Sequence, residues 1–137
     1  MTIGTDPDMQ LKNRRAAIKV LHIEDDPAVA RSVARVLNLA GMEVANAATR
    51  EEAIDQVEVC GFFPDVLLTD FHLGEGLTSE MVVAELAVRL KFKPPTILLS
   101  GSAGYHPGSL RFADRVLSKP VDTAALLRAI SDLHGMK

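Results

Sequence analysis

Acidic residues, a hydroxyl and a lysine stand at the ends of short apolar runs. Ile18–Ile23 leads into Glu24-Asp25-Asp26, Val66–Thr69 into Asp70, Thr96–Leu99 into Ser100-Gly101, and Val116–Ser118 into Lys119-Pro120. Runs this short, rich in β-branched residues or leucine, read as buried strands. Open parallel sheets hold their ligands outside the carboxyl ends of the strands. One sheet edge would then gather Glu24, Asp25, Asp70, Ser100 and Lys119. Carboxylates that close together need a counter-charge, and the physical solutions are a metal ion or a lysine. Carboxylate, carbonyl and water oxygens suit Mg²⁺, or Mn²⁺ in its place. Asp25 and Asp70 are expected as direct ligands, the backbone carbonyl of His72 as a third, and Glu24 as a ligand through water. An exposed carboxylate just past a buried strand, as Asp70 would be, can attack a phosphoryl group and form an aspartyl phosphate. That reaction needs positioning and charge neutralisation, which the metal and Lys119 would supply. The Ser100 hydroxyl could bond a phosphoryl oxygen, and Gly101 leaves room for the group and a free N–H.

Strands and helices alternate around these residues. Strands are expected near 18–23, 43–47, 65–69, 96–99 and 115–118. Asp26-Pro27 offers an N-cap and a first-turn proline, with Val29, Val33, Val36, Leu37 and Ala40 at helical spacing and Gly41 as the stop. Thr49 with Glu52 forms a capping box for a helix that buries Ala53, Ile54 and Val57 and closes at Gly61. A loop over 72–78 precedes a helix near 79–91 with Val83, Leu86, Ala87 and Leu90 inward. Asp122 caps a last helix whose apolar face is Leu126, Leu127, Ile130 and Leu133. This alternation implies a parallel sheet covered on both faces. The stretch GSAGYHPG, 101–108, leaves only Ser109–Ala113 for a helix before the fifth strand, so a loop or a single turn is expected there.

The motifs IEDDP, LLTDFHL, ILLSG and LSKP, in that order and at this spacing, resemble the receiver domain of bacterial two-component response regulators. The resemblance covers roughly 17–134. It implies an α/β, flavodoxin-like, doubly wound sheet of five parallel strands in the order 2-1-3-4-5. It further implies Asp70 as phosphoacceptor, Glu24 and Asp25 as the acidic pair, Ser100 as the switch hydroxyl and Lys119 as the phosphate-contacting lysine, with a cis Lys119-Pro120 bond as in many receivers. Asp26, one place past the pair, reads as a helix cap. Two features depart from the family. Val116 occupies the switch position where an aromatic residue is common, and the segment between Ser100 and Lys119 is short. Both alter the face on which many receivers dimerise, so a monomer is expected. The implied partners are a histidine kinase or histidine phosphotransfer protein and a downstream protein target. Two other classes stay open: an interaction module that works without phosphate, and an aspartyl-phosphate hydrolase. The intact acids and lysine argue against the first. His72, standing where such hydrolases place a second acid, argues against the second.

Composition bounds the rest. The 137 residues, 47% hydrophobic, suit one domain with a substantial core. A net charge of −3 gives no electrostatic reason to bind nucleic acid. No apolar run approaches a membrane span or a secretory signal, so a cytoplasmic, non-inserted protein is expected. Residues 1–16 read as a flexible lead-in or cloning remnant and 135–137 as a tail; the chain is expected either to signal by protein contact as a stand-alone receiver or to be the receiver part of a longer protein such as a hybrid histidine kinase. Cys60, alone, is expected as a small buried hydrophobe, and His22 as a satisfied core or edge residue.

Overall fold

The computed structural model describes residues 17–71, 73, 77–101 and 112–135. Expectations for the lead-in, for His72, for the glycines of the 74–76 stretch and for most of 101–113 therefore fall outside the described residues. The described elements are β1 (Lys19–Ile23), α1 (Pro27–Leu39), β2 (Glu43–Ala47), α2 (Arg50–Glu58), β3 (Val66–Asp70), α3 (Ser79–Leu90), β4 (Thr96–Ser100), β5 (Arg115–Ser118) and α4 (Thr123–Gly135). The strands form one parallel sheet in the order β2-β1-β3-β4-β5.

Strand alternation sorts the core into two layers. Val20, Val66, Leu68, Ile97 and Leu99 point to one face, where Val33 and Leu37 of α1 and Leu126, Ile130 and Leu133 of α4 cover them. Leu21, Ile23 and Leu67 point to the other, against Ala53 and Val57 of α2 and Val82, Val83 and Leu86 of α3. β3 and β4 are buried on both faces, which is why they read as unbroken apolar runs.

The helix starts follow local chemistry. Asp26 accepts from the N–H groups of Ala28 and Val29. Thr49 accepts from Glu52 N–H at 3.1 Å, and Asp122 accepts from Ala124 N–H at 3.1 Å. The Glu52 carboxylate returns to Ala48 N–H, one residue before the cap. The stops differ in detail. α2 ends at Glu58, not Gly61, and Gly61 sits beyond it at φ +70. Ala40 is exposed because α1 has already ended, and α3 turns Val82 inward while Ala87 and Leu90 are only half-buried. Cys60 is also exposed, since the chain past α2 has left the core.

Besides Gly61, two connections adopt left-handed backbone: Gly41 at φ +88 and Lys91, the α3 C-cap, at φ +68. A Cβ at Gly41 would meet nothing within 4 Å, so any cost there is purely conformational. Gly41→Ala is expected to lower unfolding free energy by about 1 kcal/mol, and Lys91→Gly to raise it by about 0.5–1 kcal/mol. Urea midpoints at unchanged slope measure both; a Lys91→Gly variant less stable than wild type would contradict this reading of the turn.

Candidate functional site

Register brings the acids together. Ile23 pairs with Thr69, so the next residues, Glu24 and Asp70, leave β1 and β3 at the same level. Glu24 N–H continues the ladder to Ala47 O at 2.9 Å. Across the other edge Asp70 pairs with Leu99 and Ser100 with Ser118, and Lys119 N–H donates to Ser100 O at 2.9 Å. The Lys119-Pro120 peptide that follows is cis.

The result is a cluster in which carboxylate oxygens of Glu24, Asp25 and Asp70 lie within 4.8 Å of one another. Lys119 Nζ sits 2.9 Å from Asp70 Oδ1 and 3.6 Å from Glu24 Oε1. The second distance is an ion pair too long for a hydrogen bond. Exposure grades the acids: Glu24 is 2% exposed, Asp70 half-buried and Asp25 open to solvent. Glu24 Oε2 accepts from Asp26 N–H at 3.1 Å, whereas Oε1 is buried with no hydrogen-bond partner among the described residues. Burial, chiefly, pushes the Glu24 carboxyl above the usual range; the Asp26 N–H and Lys119 oppose this, and the charges of Asp70 and Asp25 add to it. Burial disfavours the charge on Lys119, but the hydrogen bond and charge of Asp70, with Glu24, more than offset it and hold the ammonium above its ordinary pKa. A buried carboxylate oxygen with no donor, facing two more carboxylates, is the donor set that a hard divalent cation fits.

Ser100 closes β4 and is buried; Gly101 follows it, exposed, where a Cβ would stand 3.8 Å from the Lys119 side chain. Val116 is half-buried on β5, opposite Leu98. His72 lies outside the described residues. A cleft of about 640 Å³ opens beside the cluster, between α1 and α4, lined by Ala28, Val29 and Ser32 on one side and by Gly101, Lys119 and Pro120 among others. Sequence reading missed this cleft. Its only trace was the run of small residues just after the acidic motif.

His22 lies on the α1/α4 side of β1, two residues before Glu24. It is fully buried and, contrary to expectation, neither ring nitrogen has a hydrogen-bond partner among the described residues. Of its strand neighbours, Leu68 is apolar, and the Asn46 side-chain amide donates to the His22 carbonyl at 3.0 Å rather than to the ring. Burial, helped by the positive charge of Lys119 and opposed by Asp70, lowers its pKa from 6.5 to about 4.

A parallel five-stranded sheet with an acidic cluster and a lysine at its carboxyl edge is the architecture of phosphate-handling α/β signalling domains. The response regulator receiver domain model matches residues 20–131, and the chain belongs to that family. Among solved structures, the chain is similar to the N-terminal domain of a response regulator/sensory box/GGDEF protein from Carboxydothermus hydrogenoformans. The identity is 26% over 86% of this chain and 94% of that one, with a TM-score of 0.71. A putative response regulator from Chloroflexus aurantiacus is 25% identical over 87% and 98%, also with a TM-score of 0.71. A CheY-like receiver domain protein from Methanospirillum hungatei, at 24% identity over 88% and 95% and a TM-score of 0.75, shares the fold. No curated protein sequence matches the chain significantly.

His22 generates a pH prediction. The unfolded chain takes up its proton near pH 6.5 and the folded chain only near 4, so the unfolded state binds more protons between those values and stability falls as pH drops through that window. His22→Leu removes the effect and the unpaired nitrogens. Its advantage over wild type is expected to be larger by about 2 kcal/mol at pH 5 than at pH 7.5. Denaturant melts at the two pH values check this; an equal difference at both would show that His22 is not held neutral.

Proposed function

We propose that the chain is a phosphorylatable signalling switch that accepts a phosphoryl group on Asp70. The observation carrying this reading is the half-buried Asp70 carboxylate at a strand end, 2.9 Å from Lys119 and grouped with Glu24 and Asp25. An Asp70 oxygen attacks the phosphorus in line; the new O–P bond forms as the donor's P–N or P–O bond breaks, and the leaving group takes the electron pair. Lys119 neutralises charge on the transferred group. The Ser100 hydroxyl and the Gly101 N–H stand on the next strand end to receive its oxygens. Asp25 and Asp70, with the His72 carbonyl and with Glu24 through water, would hold Mg²⁺ or Mn²⁺. When bound, the ion supplies further charge neutralisation at the phosphoryl oxygens.

The donor is proposed to be a histidine kinase or histidine phosphotransfer protein, since the cleft beside Lys119 offers an apolar surface for a protein partner next to the acceptor. Output is proposed to run through contact with a downstream protein. Among the described residues no helix is long and apolar enough to cross a membrane. Retention of the full acid and lysine set favours this reading over a phosphate-independent module.

With acetyl phosphate and Mg²⁺, wild type is expected to gain one phosphoryl group by intact mass. Chelation of the metal, or Asp70→Asn, should abolish the gain. Undiminished phosphorylation of Asp70→Asn would refute the assignment, and many turnovers of a phosphomonoester would favour a hydrolase.

A second expectation concerns charge crowding. Because burial raises the Glu24 pKa, its charged form opposes folding above that value, and the penalty vanishes below about pH 4.5, where the unfolded chain is protonated too. Glu24→Gln keeps an acceptor for the Asp26 N–H and should raise the metal-free Tm at neutral pH by about 2–5 °C. Mg²⁺ well above its Kd should stabilise wild type by about 1–3 kcal/mol and the variant by less. Thermal melts with and without Mg²⁺ decide it; a lower metal-free Tm for Glu24→Gln would contradict the account.

A further inference from the structure

Helix α3 presents an apolar stripe to solvent that the site does not use. Its inward positions, Val82, Val83 and Leu86, are buried. The positions Met81, Ala84 and Val88, at i, i+3 and i+7, lie on the opposite face and are exposed, Met81 at 55% and Val88 at 76%. Phe92, directly beyond the C-cap, is exposed at 47%. This spacing is that of a helix–helix seam, with alanine at its middle to let backbones approach.

One flank of the stripe is already satisfied. Arg50 of α2 bonds Glu85 (Nε to Oε1, 2.7 Å), Arg89 bonds the same carboxylate at 2.9 Å, and Arg89 also reaches Glu58 at 2.7 Å. The network ties α2 to α3 and leaves little free charge there. The ends of the stripe differ. Glu80 stands in the first turn and Lys91 at the C-cap, both exposed, and no ion pair among the described residues engages either side chain.

We propose that α3 pairs antiparallel with α3 of a second copy of this chain. Antiparallel two-fold packing sets Ala84 of one protomer against Val88 of its partner, and brings Glu80 of each beside Lys91 of the other, twice per dimer. The helix dipoles are then also opposed head to tail. Parallel packing would set Glu80 against Glu80 and Lys91 against Lys91. The charge pattern along the stripe is therefore complementary to itself in one orientation alone. This surface is separate from the β4–β5 region on which the sequence-based expectation of a monomer rested, and it does not depend on phosphorylation. A 12-residue helix spans about 18 Å, so the interface falls below the size of stable dimers. The dimer dissociates with a Kd on the order of 10–1000 μM.

Sedimentation of the full chain from about 10 μM to 1 mM tests this. Wild type is expected to shift from monomer to dimer across that range, and Val88→Glu to stay monomeric. Glu80→Lys and Lys91→Glu are each expected to weaken association about tenfold, because two symmetry-related pairs are lost at once. The double variant Glu80→Lys/Lys91→Glu should recover to within about threefold of wild type. Far-UV circular dichroism and melts verify that each variant folds. A wild type monomeric at 1 mM overturns the proposal and leaves the stripe to a helix of another protein. A dimer indifferent to Val88→Glu, or a double variant no better than the singles, overturns it as well.

Discussion

Three carboxylates converge beside one lysine, and they do so because parallel pairing leaves them no alternative. The β1–β3 register sets Glu24 and Asp70 at one level, and the β3–β4–β5 ladders deliver Lys119 to the same edge. The acids do not assemble themselves. Backbone hydrogen bonds and two apolar layers hold them against their mutual repulsion, and Lys119 offsets only part of it. The strain concentrates on Glu24, which is buried with one oxygen that has no hydrogen bond among the described residues and only the longer ion pair to Lys119. A site built this way could hold a divalent cation, which would supply the neutralising charge that the proposed phosphoryl transfer needs.

The two faces of the sheet divide the remaining work. The α1/α4 face carries the cleft that opens at Gly101 and Lys119, and on the same side of the sheet lies the buried His22, whose ring nitrogens have no hydrogen-bond partner among the described residues. The α2/α3 face carries an ion-pair network and an exposed apolar stripe. The proposed chemistry, at the carboxyl edge of the sheet, and the proposed self-association, on the α2/α3 face, therefore fall on different surfaces of one core.

Much of this was legible in the chain. Strands β3 and β4 announce themselves because burial on both faces demands unbroken apolar runs, and the residues just past such runs are forced to the functional edge. The caps at Asp26, Thr49 and Asp122 are legible because capping is local chemistry. Tertiary context decides what local pattern cannot. Periodicity alone placed Ala40 inside and missed Val82, because the end and rotation of a helix depend on what it packs against. Cys60 was misplaced for the same reason, since α2 stops earlier than Gly61 suggests. Strand alternation leaves His22 as a core or edge residue; it is buried, and whether a buried imidazole finds a partner depends on residues far away in sequence. The α3 stripe was visible as exposed positions only after its inward face was known.

The central claim is that the crowded carboxylates form one built cation site. Calorimetric titration of Mg²⁺ into wild type and Asp25→Asn tests it most directly, because Asp25 is exposed and its change to asparagine leaves the core intact. The account predicts one ion per chain for wild type and binding weakened at least about tenfold in the variant, the loss of one of the two carboxylates proposed as direct ligands. Equal, weak and multiple binding in both proteins would contradict it.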